Sequence, residues 1–201
     1  MDAANLVSQK LAMRATARER RAQLARAVAD AAERMAAHFL TAIPVPAEAT
    51  VSAYWPMGDE ADPLPLVERL RLKGHAVALP RLAGPKRTPL AFHIYGPEDE
   101  LIAGKFGLSE PAADWARAIP AVLVVPLLAF DARGYRLGYG GGYYDATLAD
   151  LRRGHSVTAV GLAYAGQEVR DVPHDEHDQR LDWIVTEQEA RKFSPLPAAG
   201  V

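Results

Sequence analysis

Three stretches of this sequence hold residue types that could do chemistry together. The first, "RLGYGGGYYD" (136–145), sets four glycines and three tyrosines between Arg136 and Asp145, in a chain with only 15 glycines among 201 residues. Backbone without side chains lets N–H groups surround phosphate oxygens, and a helix starting just afterwards adds partial positive charge at its N-terminus. The pattern is not a P-loop, because no Gly-Lys-Ser/Thr follows. It is not G-x-G-x-x-G either, because the sixth position from Gly138 is Tyr143. A plainer reading is that these glycines only build two tight turns. Arg136 could meet a phosphate or be an ordinary surface arginine. Asp145 could be a first-turn charge favoured by the helix dipole, or could reach a Mg²⁺ carried on phosphates.

The second is the pair Lys10 and Arg14, four residues apart and therefore on one helix face. Read from the residues alone, they are the start of a solvated basic stripe that continues through Arg18 and Arg21. The third is "PHDEHD" (173–178), with His174, His177, Asp175 and Asp178. It invites a transition-metal reading, yet no third histidine stands at ligand spacing, and the chain has no cysteine.

The elements that must position these residues follow from hydrophobic spacing. Met13, Ala17, Leu24, Val28, Met35 and Phe39 recur at helical intervals, so 3–40 reads as one or two helices. Alternation follows: a strand at 50–55, a helix at 62–74 with Pro near its start and Gly at its end, and strands at 75–82 and 90–95. Residues 96–118 read mostly as loop. "AVLVVPLLAF" (121–130) is apolar at every position, as a strand buried on both faces would be. A helix begins near Tyr143, and strands follow at 156–164 and 182–187. This predicts an α/β fold: a single domain with a mainly parallel sheet flanked by helices and an N-terminal helical segment. The domain is expected over 1–194, with a flexible Pro/Ala/Gly tail at 195–201. The glycine-rich stretch then lies between the most buried strand and a helix, where open parallel sheets bind ligands.

Composition narrows the function. With 49% hydrophobic and 24% charged residues, the chain is globular. Its net charge of −2 argues against a general nucleic-acid or membrane-surface binder. The longest apolar run (119–130) is interrupted by Pro126 and is too short to span a bilayer. Without cysteine, disulfides and thiolate catalysis are excluded. The Ala- and Arg-rich start hints at a transit peptide, but Asp2, Glu19, Asp30 and Glu33 count against one, so a cytoplasmic protein is expected.

Longer motifs carry a resemblance. "VVPLLAFDARGYRLGYGGGYYDATL" (124–148) closely resembles the signature of the 5-formyltetrahydrofolate cyclo-ligase family. In the family's order, "KLAMR" (10–14), "YWPMGDEAD" (54–62), "ALPRL" (78–82), "GLSEP" (107–111) and "VPHDEHDQRLDWIVTE" (172–187) agree with it, so the likeness spans nearly the whole chain. It implies an ATP- and Mg²⁺-dependent ring closure of a reduced folate, with ATP as co-substrate. The protein's task would be positioning and charge neutralisation rather than supplying a nucleophile. Through the resemblance, Lys10, Arg14, Arg136 and Asp145 take catalytic roles. Lys10, Arg14 and the stretch Arg136, Leu137, Gly138, Tyr139, Gly140, Gly141, Gly142, Tyr143 and Tyr144 would hold ATP. Trp55 and Glu60, with Tyr139 to Tyr143, would hold the folate, and Asp145 and Asp178 would contact Mg²⁺.

An aromatic face suits a flat pterin, and a carboxylate suits its amino-pyrimidine edge. Read from the sequence alone, Trp55 is equally a core aromatic and Glu60 an ordinary loop acid. Met57 and Trp115 are further candidates for that pocket. Two positions depart from the family pattern: Gly141, where some members carry lysine, and Ala146, where a basic residue is frequent. The fold alone would also suit sugar-phosphate isomerases or CoA transferases, and a non-catalytic folate or nucleotide binder is a third reading. Small-molecule partners and a monomer or weak homo-oligomer are expected.

Overall fold

A computed structural model describes residues 3–194; the expected tail at 195–201 lies outside the described residues. The Ala-rich start forms α1 (Ala3–Ala27) and α2 (Ala31–Ala42), followed by β1 (Val51–Ser52), α3 (Leu64–Leu72), β2 (Val77–Arg81) and β3 (Ala91–Ile94). The middle contains β4 (Ile102–Ala103), β5 (Ser109–Glu110), β6 (Arg117–Ala118), β7 (Val122–Pro126), β8 (Ala129–Phe130) and β9 (Arg136–Leu137). Then come α4 (Tyr143–Gly154), β10 (Thr158–Leu162), β11 (Trp183–Val185) and β12 (Ala190–Lys192).

Eight strands form one sheet in the order β12-β11-β10-β7-β1-β2-β3-β6. The inner five are parallel; β12 and β3 run antiparallel to them, and β6 pairs antiparallel with β3 at the far edge. The α/β expectation therefore holds. Alternation along β7 shows why its sequence is apolar throughout. Val122 and Val124 face one core with Val51, Leu79, Met35, Phe39, Leu66 and Leu70, so α2 and α3 cover that side. Leu123 and Val125 face the other core with Ala78, Ala159, Ile184 and Leu148, so α4 covers the opposite side.

Several boundaries differ from the sequence reading. The apolar run 121–130 is not one strand. Pro126 closes the pairing with Leu162 and has no N–H with which to extend a ladder. The chain then turns, and Gln167 Nε2 donates to the freed carbonyls of Leu127 and Leu128 at 2.9 and 3.1 Å. Beyond the turn, β8 and β9 form a separate two-stranded ribbon. The 50–55 strand is short by assignment, although the Ala53 amide still donates to Ala78 O at 3.0 Å. Residues 96–118 contain three short strands, of which β6 joins the sheet edge through β3. β12 was not foreseen, since "ARK" carries no apolar alternation.

The connections make a switch point. From β1 the chain crosses by α3 to β2 on one side; from β7 it crosses by α4 to β10 on the other. β1 and β7 are neighbours, so a crevice opens beyond their carboxyl ends, the favoured ligand position in such sheets.

Candidate active site

The ribbon hands the chain to the glycine-rich loop. Asp131, fully buried, clasps its turn: Oδ1 accepts from the amides of Arg133 (2.9 Å) and Tyr135 (3.1 Å), and Oδ2 from the amide of Val172 (3.1 Å). Residues 138–142 then run across the crevice into α4. Gly140 (φ 95°) and Gly142 (φ 67°) sit in the left-handed region, where a side chain would be strained. A Cβ at Gly141 would come within 2.6 Å of the Tyr143 ring, whereas at Gly138 it would meet nothing. Most of these glycines therefore answer to the protein's own backbone and Tyr143, and Gly138 to open space. Gly142 caps α4 in the left-handed region and, being glycine, makes no side-chain hydrogen bond to the amides of the first turn.

The loop floors a cleft of about 1000 Å³. Lys10, Arg14, Trp55, Met57, Glu60, Arg136, Leu137, Gly138, Tyr139, the glycines 140–142, Tyr143, Tyr144, Asp145 and Asp178 all border it. Residues from α1, the end of β1, the loop after β9 and the 173–178 segment are thus brought together. Trp115 is the exception: it is not among the lining residues and instead stacks on Tyr95 at 6.4 Å, which in turn meets Trp55 edge-on at 6.1 Å. Trp55 packs against the core while bordering the cleft, so it serves both readings.

One side of the cleft is cationic. Arg14 Nε donates to Gly138 O at 2.8 Å, and its guanidinium lies over Gly140. Burial and the neighbouring Arg18 lower the Arg14 pKa, against the attraction of Asp178. Lys10 Nζ lies 2.5 Å from Asp178 Oδ2, which also accepts from the Asp175 amide at 2.8 Å. Arg136 is not a surface arginine. It is buried, donates to Gln179 O and pairs with Asp145 Oδ1 at 2.8 Å; the Gln179 amide reaches the same oxygen at 3.0 Å. Asp145 and Asp178 thus each take these contacts on one oxygen and turn toward the same cleft.

The opposite side is built around Glu60, which is only 6% exposed. Burial raises its pKa, opposed by hydrogen bonds from Tyr139 and the Met57 amide and by Arg21. The Met57 amide meets Oε2 at 2.8 Å, and Tyr139 donates to Oε1. Burial, with Glu60 nearby, also pushes the phenols of Tyr139 and Tyr144 well above their ordinary value.

The basic stripe is corrected. Arg21 is not solvated but buried, donating to Tyr139 Oη and lying 3.7 Å from Glu60. The spacing of Lys10, Arg14, Arg18 and Arg21 on one helical face was the available signal. Lys86 and Arg87, from the β2–β3 loop, also border the cleft unforeseen; the Arg87 amide donates to Gly141 O at 2.9 Å. Two basic residues in a Pro/Gly loop offer no sequence signal for this. Among the described residues no group of three or more His, Asp or Glu side chains is arranged to hold a metal; in "PHDEHD", His174 stacks on Tyr135 with ring centres 3.6 Å apart.

An open α/β sheet with a cationic, glycine-lined cleft at its switch point defines a class of small-molecule sites suited to a phosphorylated ligand beside an aromatic one. A model of the 5-formyltetrahydrofolate cyclo-ligase family matches residues 7–187. The 5-formyltetrahydrofolate cyclo-ligase of Escherichia coli K12 is 35% identical over 158 residues, covering 77% of this chain and 86% of that protein. That of Mycolicibacterium smegmatis is 35% identical over 144 residues, 68% of this chain and 73% of the relative. The solved 5,10-methenyltetrahydrofolate synthetase of Aquifex aeolicus superposes with a TM-score of 0.68 at 28% identity, covering 98% of this chain and 96% of its own. The chain belongs to the 5-formyltetrahydrofolate cyclo-ligase family, and is an enzyme of that ligase class.

Proposed function

We propose that this enzyme uses ATP and Mg²⁺ to convert 5-formyltetrahydrofolate into 5,10-methenyltetrahydrofolate, releasing ADP and phosphate. The observation that carries this reading is the meeting of two unlike walls in one cleft: phosphate-seeking cations and bare amides on one side, Trp55 and Glu60 on the other. Lys10, Arg14 and the amides opening α4 hold the triphosphate, so that negative charge approaching another anion is compensated. Trp55 offers a face to the pterin, and Glu60 accepts from its amino-pyrimidine edge. The formyl oxygen is then aimed at the γ-phosphorus.

The oxygen attacks, the bond to ADP breaks, and the formyl carbon carries a phosphate in place of a poor leaving group. N10 closes on that carbon, its proton is released, and phosphate departs with the former formyl oxygen. Arg136 holds Asp145 in place through the 2.8 Å pair. Two carboxylates with unused oxygens, beside a phosphate site, suit a hard cation that keeps waters and shares phosphate ligands. Asp145 and Asp178 would hold Mg²⁺, which would supply neutralising positive charge beside the phosphates.

The absence of cysteine fits a reducing cytoplasm, and no described helix is long and apolar enough to cross a membrane. We place the reaction there, carried out by a monomer or weak homo-oligomer. The test is purified protein with MgATP and 5-formyltetrahydrofolate: methenyl absorbance should rise with one ADP per folate, and no ADP should form without folate. Folate binding with no folate-dependent ADP would reject the reaction and leave a binding protein.

A further inference from the structure

Arg21 takes no part in the reaction as proposed, yet it is buried against Tyr139 and Glu60, two residues that line the cleft. A guanidinium stays protonated, and removing one from water costs several kcal/mol unless charge and hydrogen bonds compensate it. Arg21 is 6% exposed, and its Nε has no hydrogen-bond partner among the described residues. Its compensation is concentrated on two residues. Nη1 donates to Tyr139 Oη, the guanidinium lies 5.5 Å from that ring's centre, and Glu60 Oε1 is 3.7 Å away. Tyr139 in turn donates to the same Oε1, so the three side chains form a closed unit. Three separate elements meet in it: α1, the loop following β1, and the glycine-rich loop.

We propose that Arg21 is a positioning residue for the reduced folate, fixing Tyr139 and Glu60 so that the carboxylate meets the amino-pyrimidine edge as an anion. This rests on the folate reading of the cleft. The groups facing Glu60 are the Met57 amide and Tyr54 from its own segment, Tyr139 from the loop, Tyr144 from α4 and Arg21 from α1. Arg18 lies over the Tyr139 ring, 6.0 Å from its centre. Of the groups acting directly on Glu60, Arg21 alone is a cation, and burial works against ionisation. Without Arg21 the carboxyl would hold its proton to higher pH. A protonated carboxyl presents a donor where the pterin edge also presents donors.

The test compares full-length wild type, Arg21→Gln and Arg21→Lys by tryptophan-fluorescence titration with 5-formyltetrahydrofolate, and separately with MgATP, across the neutral pH range. Arg21→Gln is expected to weaken folate binding at least about tenfold near neutrality, the equivalent of one pKa unit, with the deficit shrinking as pH rises. Arg21→Lys, keeping the charge but not the fork, should recover part of the affinity and the wild-type pH dependence, and MgATP affinity should change less than about twofold for both. A folate deficit that is constant with pH would overturn the proposal, as would equal losses for folate and MgATP with Lys no better than Gln. Should Arg21→Gln not fold, Arg21→Lys decides: weaker folate with unchanged MgATP supports the role, and equal weakening refutes it. Wild type that binds MgATP but no reduced folate would refute the functional reading itself.

Discussion

Asp145→Asn separates the proposed chemistry from mere architecture. The substitution keeps the shape and an acceptor at Oδ1, so the contacts from Arg136 (2.8 Å) and the Gln179 amide (3.0 Å) can persist in neutral form. What goes is the charge opposite Arg136, which is almost wholly buried, and one of two proposed cation ligands. A hydrogen bond to a charged partner contributes about 1.5–3 kcal/mol. Because Asp145 is 29% exposed at its side chain and Asn still accepts, the loss should be nearer about 1–2 kcal/mol. For a chain of this size that lowers the melting temperature by about 2–8 °C, leaving the protein folded at assay temperature.

Turnover should fall much further, by about 10²–10³-fold, the range found when one pre-placed electrostatic stabiliser is removed from an active site. Folate affinity, set on the opposite wall, should stay within about threefold, because sites without shared partners behave nearly independently. The assay is folate-dependent ADP release at saturating substrates, with fluorescence titration and thermal melting on the same preparations. Part of the lost rate should return at elevated Mg²⁺. Turnover within about fivefold of wild type would refute the reasoning. A folate affinity that falls as far as turnover would do the same, reducing Asp145 to a structural group.

Three further expectations follow from the same geometry. Arg14→Ala removes the bond to Gly138 O and the guanidinium over Gly140, so KM for ATP should rise about tenfold or more with KM for folate little changed, measured by steady-state kinetics. Gly141→Ala would place a Cβ 2.6 Å from the Tyr143 ring, which must leave its position; kcat/KM for folate should drop while the melting temperature moves by only a few degrees, roughly as for about 1 kcal/mol of strain. Burial raises the Glu60 pKa, so the fold binds that proton more tightly than the unfolded chain does. The stability it contributes is present below the unfolded value and lost as pH rises through the folded one. Glu60→Gln should therefore look more stable relative to wild type at pH 7.5 than at pH 4.5 by thermal melting, while weakening folate binding.

Much of the architecture was legible because burial writes itself into residue type. β7 had to be apolar throughout once helices covered both faces, and the sequence displays that without ambiguity. Its end was less clear, since Pro126 breaks the ladder while Leu127 and Leu128 stay buried in a turn and Ala129 in β8; hydrophobicity reports burial, not hydrogen bonding. β12 escaped because an edge strand with one neighbour needs no apolar alternation. In the cleft, spacing alone read Lys10 and Arg14 as a solvated stripe, and the family motifs singled them out together with Asp145, Asp178, Trp55 and Glu60. Arg21 was misjudged because an arginine's burial depends on partners distant in sequence, here Tyr139 and Glu60, which composition cannot reveal. For Trp115 the error ran the other way: an aromatic near a pocket motif can stack one layer behind it.

The way α1 is fastened has a consequence for traffic through the cleft. Lys10, Arg14 and Arg21 tie it to Asp178, Gly138 O and Tyr139, while Leu6, Met13, Ala17 and Leu24 give it apolar packing along its length. An incoming anion can therefore compete for Lys10 and Arg14 by replacing Asp178 and a loop carbonyl, while Met13 and Leu24 keep the rod seated, so admission costs a swap of polar partners rather than an unseating of the helix.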